Sequence, residues 1–256
     1  MPTVQQLYSY LDKLIPSTLS CQWDNDGLMV CPDKYAKVRK VLLTLDITAQ
    51  AIEYAIAEGF DLIISHHPLI FRPLRDLSGD DVVSSKVITL VKSGISAFSF
   101  HTRLDALDGG VNDRLAELLG LEDVEILPGD PDMIGRIGTL EAPTDPEEFS
   151  LYVKERLGAR SVNLVNAQLD VSRVALCGGD GKSLLDAAFK AGADTYITGN
   201  MSYNIMTDAA EMPINVIEAG HFHTENHVLH FLADMVEEYD PEIEIGVFES
   251  NMIKTL

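Results

Sequence analysis

At 256 residues, 46% of them hydrophobic, the chain is long enough for one large domain or two small ones and has the apolar content of a real core. Its formal charge of −21 excludes a general nucleic-acid binder, which needs a basic footprint, and no apolar run of about 18 residues is present to span a membrane. Met1-Pro-Thr-Val-Gln lacks the charged-then-apolar pattern of a signal peptide, and three cysteines without CxxC spacing (Cys21, Cys31, Cys177) cannot all pair, so reduced thiols and a cytoplasmic setting are expected.

In chain order, Val4, Leu7, Tyr8, Leu11, Leu14 and Ile15 recur at helical spacing and predict an amphipathic helix over residues 3–15. Trp23-Asp24-Asn25-Asp26-Gly27-Leu28 reads as a loop. It begins like an EF-hand loop, but Leu28 stands where the third oxygen ligand is needed, which excludes calcium. A turn with Trp23 packed on the core is the plain expectation. Residues 41–45 predict a strand ending in Asp46, 49–58 a helix closed by Gly59, and 62–64 a short buried strand. Residues 84–93 predict a helix closed by Gly94, 95–100 a strand, and 111–119 a helix closed by Gly120. The acidic, proline-bearing stretch 121–132 suggests a boundary. Beyond it, 134–140 predict a strand and 146–157 a helix, and 161–164, 174–177 and 214–217 predict strands. A last helix over 225–238 would bury Val228, Leu229, Leu232 and Val236.

An internal repeat runs through this order. With a constant offset of 133 residues, Val41 meets Val174, Gly59 meets Gly192, Asp61 meets Asp194, Ile64 meets Ile197 and Ser65 meets Thr198. Both copies read strand, helix, glycine, aspartate, strand, a unit that gives parallel pairing through right-handed crossovers and two similar α/β halves. In the second copy Gly199 and Asn200 stand where the first has His66 and His67.

That histidine pair falls where strand 62–64 should end, and Pro68 stops its continuation. Ligands of open α/β sheets bind beyond the carboxyl ends of strands. Side chains alternate along an extended backbone, so adjacent imidazoles should point to opposite sides and suit two neighbouring ions better than one. Alone, such a pair reads first as packing or surface histidines. Two further segments change that. Strand 95–100 delivers His101, with Asp105 four residues on, and strand 214–217 is followed by His221, with Glu225 four residues on. On a helical turn each pair shares a face and can close on one ion. His66, His67, His101, Asp105, His221 and Glu225 thus form a candidate set suited to zinc, manganese, iron, cobalt or nickel. Six ligands exceed a closed zinc site and suit two divalent ions per chain. His223 is a candidate for an outer shell. His227 and His230 read as exposed or packed faces of the last helix. Gly178-Gly179-Asp180-Gly181-Lys182-Ser183 is no P-loop, because Leu176 occupies the position of the first required glycine; a strand-to-helix turn is the simpler reading, and a backbone approach to a ligand is the alternative.

Taken together, Trp23-Asp24-Asn25-Asp26-Gly27-Leu28, Ser65-His66-His67-Pro68, His101-Thr102-Arg103-Leu104-Asp105, Gly109-Gly110-Val111-Asn112, Gly192-Ala193-Asp194, Thr198-Gly199, Gly220-His221 and Thr224-Glu225 resemble the NIF-three-like family of dinuclear-metal hexameric proteins, often named GTP cyclohydrolase I type 2 homologues. The motifs run over nearly the whole chain. The resemblance implies that the six candidate residues bind two metals. It also implies two intertwined three-layer α/β/α domains with mixed sheets, and a toroidal homohexamer. The expected division is 1–128 with 220–256 as the first domain and 129–219 as the second. This chain departs from the family pattern at three positions. Relatives usually carry asparagine at Arg103, an acid at Asn200 and often histidine at Asn204. Arg103 adds a cation that would grip phosphate or pair with a carboxylate, and neither asparagine can act as general acid or base.

Two functions follow from these readings. One is a metal-dependent hydrolase using metal-activated water on a nucleotide, GTP by resemblance, or on another phosphate-containing small molecule, with His223 a candidate to move protons. The other is a non-catalytic metal-binding hexamer that stores, delivers or senses metal, or a partner-binding scaffold.

Overall fold

In the computed structural model, which describes residues 1–254, the predicted elements form for the local reasons the sequence suggests. Helix α1, Val4–Leu14, buries Val4, Leu7 and Leu11 and starts with a capping box in which Thr3 and Gln6 each receive the other's backbone N–H. Strand β1, Gly27–Val30, is followed by β2, Lys40–Thr44. Helix α2, Ala49–Glu58, runs from the Thr48 cap to Gly59, whose φ of 71° closes it. Then come β3, Leu62–Ser65, α3, Val82–Ser93, and β4, Ser96–Ser99. Helix α3 begins two residues before the predicted Ser84 because the Asp81 carboxylate accepts from the backbone N–H groups of Val83 and Ser84.

The chain continues through α4, Thr102–Ala106, α5, Val111–Leu118, β5, Glu122–Ile126, and β6, Arg136–Thr144. Next are α6, Pro146–Arg156, β7, Asn163–Val165, β8, Val171–Cys177, α7, Leu185–Lys190, and β9, Thr195–Thr198. Last are α8, Tyr203–Ala209, β10, Asn215–Glu218, α9, His221–Glu225, α10, Val228–Tyr239, and β11, Glu244–Phe248. The single helix expected over 225–238 is therefore two, interrupted at Asn226-His227.

The chain divides into two compact units. The first is built from Met1–Leu104 and Val228–Met252, the second from Asp105–His227. The division thus falls at Leu104/Asp105 and His227/Val228, not at the expected 128/129 and 219/220. The reason is visible in the second sheet. The stretch read as a boundary contains β5, which pairs antiparallel with β6, and Leu115 and Ala116 of α5, with Leu119 at its C-cap, pack into the apolar cluster on that sheet.

In the first unit a five-stranded mixed sheet has the order β1-β4-β3-β2-β11. Leu42, Ile63 and Ala97 face α2 and α3, where they join Ile52, Ala55, Val87 and Leu90 in one core cluster. Tyr8 of α1 packs on Phe98 and Phe100, and α10 buries Val228, Leu229, Leu232 and Val236 as predicted. In the second unit a six-stranded mixed sheet has the order β5-β6-β8-β9-β10-β7. Ala175, Cys177, Tyr196 and Val216 pack with Leu185 and Ala188 of α7, while Val174, Leu176, Ile197 and Ile217 pack with Phe149 and Val153 of α6. Each unit is thus a three-layer α/β/α sandwich.

The repeat is carried in the pairing register. Val41 pairs with Leu62 and Thr44 with Ser65 in the first sheet; Val174 pairs with Thr195 and Cys177 with Thr198 in the second. Even a side-chain tie is repeated. Asp61 accepts from the backbone N–H of Arg39 (2.8 Å) and Lys40 (3.1 Å), and Asp194 from those of Ser172 (2.9 Å) and Arg173 (2.7 Å). These aspartates fix where each second strand starts, and so where it ends. The residues immediately beyond the strand ends carry the candidate chemistry.

Candidate metal centre

In the first unit β3 ends at Ser65, but its backbone stays tied to the neighbouring strand, with the His66 N–H donating to Thr44 O (3.3 Å) and the His67 N–H to Leu45 O (2.9 Å). The chain bends at this pair, and the Ser65 hydroxyl donates to His67 O at 2.7 Å. The alternation expected for adjacent residues of a strand is therefore lost. The His66 and His67 rings lie 5.0 Å apart, and they lie 5.4 and 5.6 Å from the ring of His101, which follows β4. One ring nitrogen from each of the three histidines comes within 4.8 Å of the others. Three imidazoles converging at strand ends fit the donor chemistry of a late first-row divalent ion.

The tautomers decide how good that fit is. His66 Nδ1 lies 3.0 Å from Phe100 O, and a carbonyl only accepts, so Nδ1 carries the proton and Nε2 the lone pair. His67 Nδ1 is 2.8 Å from Asp46 Oδ1, and His101 Nδ1 is 2.8 Å from Asp24 Oδ1. An ionised carboxylate imposes the same tautomer, with Nε2 as the electron-pair donor. This carbonyl or carboxylate backing is the arrangement that orients metal-binding imidazoles and raises their basicity.

Asp24 is built into that role. Burial alone would push its carboxyl up, but hydrogen bonds from His101 and from the Thr102 hydroxyl (2.6 Å) and N–H (3.1 Å) outweigh it and hold the group at about 2. Two residues on, Asp26 accepts from the His101 N–H at 3.1 Å and from Arg103 Nε and Nη2 at 2.8 and 2.9 Å. Arg103 Nη1 donates to Asp12 Oδ1 (2.7 Å) and Ile15 O (2.9 Å). Arg103 is 1% exposed and its guanidinium is held by two carboxylates and a carbonyl, so of the two roles open to it from the sequence it takes the carboxylate pairing. Burial by itself would weaken the charge of Arg103, and the hydrogen bonds to Asp26 and Asp12 more than restore it. Trp23, expected on the core, is 58% exposed instead. Asp24 and Asp26 anchor the loop without it.

In the second unit α9 places His221 and Glu225 on one face, with His221 Nε2 3.1 Å from Glu225 Oε2. His221 Nδ1 lies 2.7 Å from Asn200 Oδ1, so the amide oxygen backs this imidazole as the carboxylates back the others. Asn200, one of the three departures, thus keeps the orienting contact while losing the capacity to titrate. Asn204 lies exposed in the first turn of α8. Asp105 and Glu225 are buried, at 8% and 4% exposure, and both lie near the Cys177 thiol. Burial, then Asp105 and other neighbouring carboxylates, push that thiol up, which leaves it protonated and inert.

The glycine stretch after β8 is more than a turn. The Gly178 N–H donates to Asn112 Oδ1 at 2.7 Å and the Gly179 N–H to Thr224 Oγ1 at 3.1 Å. A Cβ on Gly179 would lie 2.1 Å from Glu225 Oε1 and 3.2 Å from His221 Nε2, so only glycine lets the backbone pass this carboxylate. Sequence reasoning left a close backbone approach open here but did not find Glu225 as the group approached; the signal was the failed P-loop itself, a run of glycines with no phosphate-binding frame. His223 lies two positions from His221 on α9, roughly 200° around the helix axis, with its ring against Phe222. His227 sits in the break before α10 with Nε2 2.9 Å from Val111 O, and His230 is exposed.

A family profile described as Duf34/NIF3 (NGG1p interacting factor 3) matches residues 2–255. The chain belongs to the DUF34/NIF3 family. Its relatives include proteins named GTP cyclohydrolase 1 type 2 homolog from Clostridium perfringens, 33% identical with 95% of each chain covered, and from Lactococcus lactis, 34% identical with 91% of each covered. The fold matches a Bacillus cereus protein related to NIF3, with a TM-score of 0.89 over the full length of both chains at 22% identity. It also matches reduced HcgD from Methanocaldococcus jannaschii, with a TM-score of 0.84 at 27% identity, over 96% of this chain and 97% of that one. This DUF34/NIF3 chain has a cluster of three backed histidines in one unit and a backed histidine with a buried glutamate in the other. Among the described residues no helix is long and apolar enough to cross a membrane.

Proposed function

We propose that this protein binds two divalent metal ions per chain and uses them to hydrolyse a nucleotide in the manner of a GTP cyclohydrolase type 2 homologue, as a cytoplasmic homohexamer. His66, His67, His101, Asp105, His221 and Glu225 would hold the ions, with zinc, manganese, iron, cobalt and nickel all matched by the donor set. The observation that carries the reading is the common backing of four imidazoles. Phe100 O, Asp46, Asp24 and Asn200 each meet an Nδ1, a costly regularity for histidines that merely pack. Bound ions would supply Lewis acidity toward the substrate and acidify water near neutral pH. The protein's share is orientation. Asp24, tied to Thr102, keeps His101 in one rotamer and tautomer, and Gly179 leaves space for the Glu225 carboxylate. His223, on α9 but off the His221–Glu225 face, is the candidate to carry protons. The names of the curated relatives support the nucleotide class.

A second reading, a non-catalytic hexamer that stores, delivers or senses metal, is favoured by Asn200. It occupies a position where an acid would titrate, and it only orients His221.

Elemental analysis of chelator-free protein, set beside His67→Ala and Glu225→Ala and coupled to a GTP turnover assay, tests both. About two ions per chain, lost in both variants together with turnover, is the expected result. Two ions without turnover beyond that of the ions in solution selects the second reading. No metal after incubation with zinc, manganese or iron overturns both.

A further inference from the structure

Trp23 and Phe71 are large apolar side chains that the first unit leaves exposed, at 58% and 43%, beside His101. Their ring centroids lie 6.2 Å apart at 74°. Trp23 stands 6.3 Å from His101 at 80°, and Phe71 stands 6.1 Å from it at 90°. Three rings so nearly perpendicular to one another form an open corner with His101 as its floor. The loops that carry the corner are tied by hydrogen bonds although it buries little. Asp24, next to Trp23, is locked to His101 and Thr102, and its N–H donates to Cys21 O at 3.0 Å. The Asn25 amide donates to Ile70 O, tying the Trp23 loop to the Phe71 loop, and the Ile70 N–H meets Met29 Sδ at 3.3 Å. Trp23 and Phe71 are not scattered singly but adjoin, and adjoining exposed aromatics are the kind of surface that binds ligands.

We infer that Trp23 and Phe71 form a stacking corner for the planar heteroaromatic ring of the substrate, delivering a nucleobase to His101. This deepens the metal-dependent reading and rests on it. An aromatic corner also suits an organic cation, but the metal-dependent reading on which this inference rests supplies a nucleotide as the occupant. Stacking accepts any base, so the corner selects the ring class and leaves the choice of purine to other contacts.

Trp23 is the only tryptophan in the chain, so its emission reports on this corner alone. The metal-loaded protein is titrated with guanosine 5′-monophosphate, adenosine 5′-monophosphate and ribose 5-phosphate, and metal content is measured on the same sample. Both nucleotides should quench Trp23 saturably, and ribose 5-phosphate should not. Phe71→Ala and the bulk-preserving Phe71→Leu should each weaken the nucleotides by roughly 5- to 100-fold. Equal quenching by ribose 5-phosphate, or affinities unchanged in Phe71→Leu, overturns the corner. So does emission that responds to protein dilution and to no nucleotide, which would mark a contact between copies. No quenching on protein with full metal content refutes the corner and leaves the metal reading standing. A preparation that takes up no metal refutes the metal reading and the corner with it.

Discussion

Replacing Gly179 by alanine separates a glycine that turns the chain from one that makes room for a ligand. Gly179 has a φ of +60°, and alanine there carries a backbone cost of roughly 1–2 kcal/mol. The new methyl would lie 2.1 Å from Glu225 Oε1 and 3.0 Å from its Cδ, so the carboxylate must leave. Glu225 is 4% exposed and 3.1 Å from His221 Nε2, and displacing it strands polar atoms at a further cost of about 1–3 kcal/mol. The sum is about 2–5 kcal/mol. Gly192→Ala is the control, because Gly192 has a φ of +80° but nothing within 4 Å of its Cβ position, so it keeps only the backbone cost. Denaturant unfolding of metal-free protein should show Gly179→Ala less stable than Gly192→Ala by about the carboxylate share, 1–3 kcal/mol. Zinc competition should show affinity lower by at least roughly 10–100-fold in Gly179→Ala alone. If the two variants match in both measurements, Glu225 is not held as argued.

Three other perturbations test the scaffold. Asp24→Ala removes the partner of His101 Nδ1 and of Thr102 from a side chain with no exposure; a loss of about 1–3 kcal/mol and roughly 10–100-fold weaker metal binding are expected, and native affinity would show that backing by Asp24 is dispensable. Arg103→Asn leaves Asp26 (5% exposed) without its bidentate partner and should cost about 3–5 kcal/mol by chemical unfolding; a neutral result would show that the pair is balanced by its own desolvation. Stripping metal with a chelator should lower the thermal midpoint by about 5–10 °C for each bound ion if the working metal concentration is near a hundred times Kd, and restoring zinc should recover it. An unchanged midpoint would mean that no ion binds the folded state preferentially.

Elements with periodic or punctuated sequence were legible before folding. Helix α2 was bounded by Gly59, α3 by Gly94, and β3 and β9 by the repeated aspartate that the structure shows tying neighbouring strands. Strands β1, β5 and β11 were not legible. All three lie at sheet edges, and β5 is exposed along its whole length, so hydrophobic alternation has nothing to record. The break at Asn226-His227 was hidden because the apolar stripe that marks the helix begins only at Val228, beyond it.

By itself the sequence determined the chemistry available: which residues follow strand ends, that His221 and Glu225 share a helical face, and that a β-α-β unit occurs twice. These depend on local periodicity, which one chain carries in its own order. Tertiary structure decided which atoms of those residues act. The bend after Ser65 brings His66 and His67 toward the same neighbour, and Asp24 and Asp46 reach across tens of residues to set imidazole tautomers. Arg103 is consumed by Asp12 and Asp26 rather than offered to a ligand, and Gly179 yields to Glu225. Each of these is a contact between segments far apart in sequence, fixed by sheet register and close packing, and no local pattern encodes it.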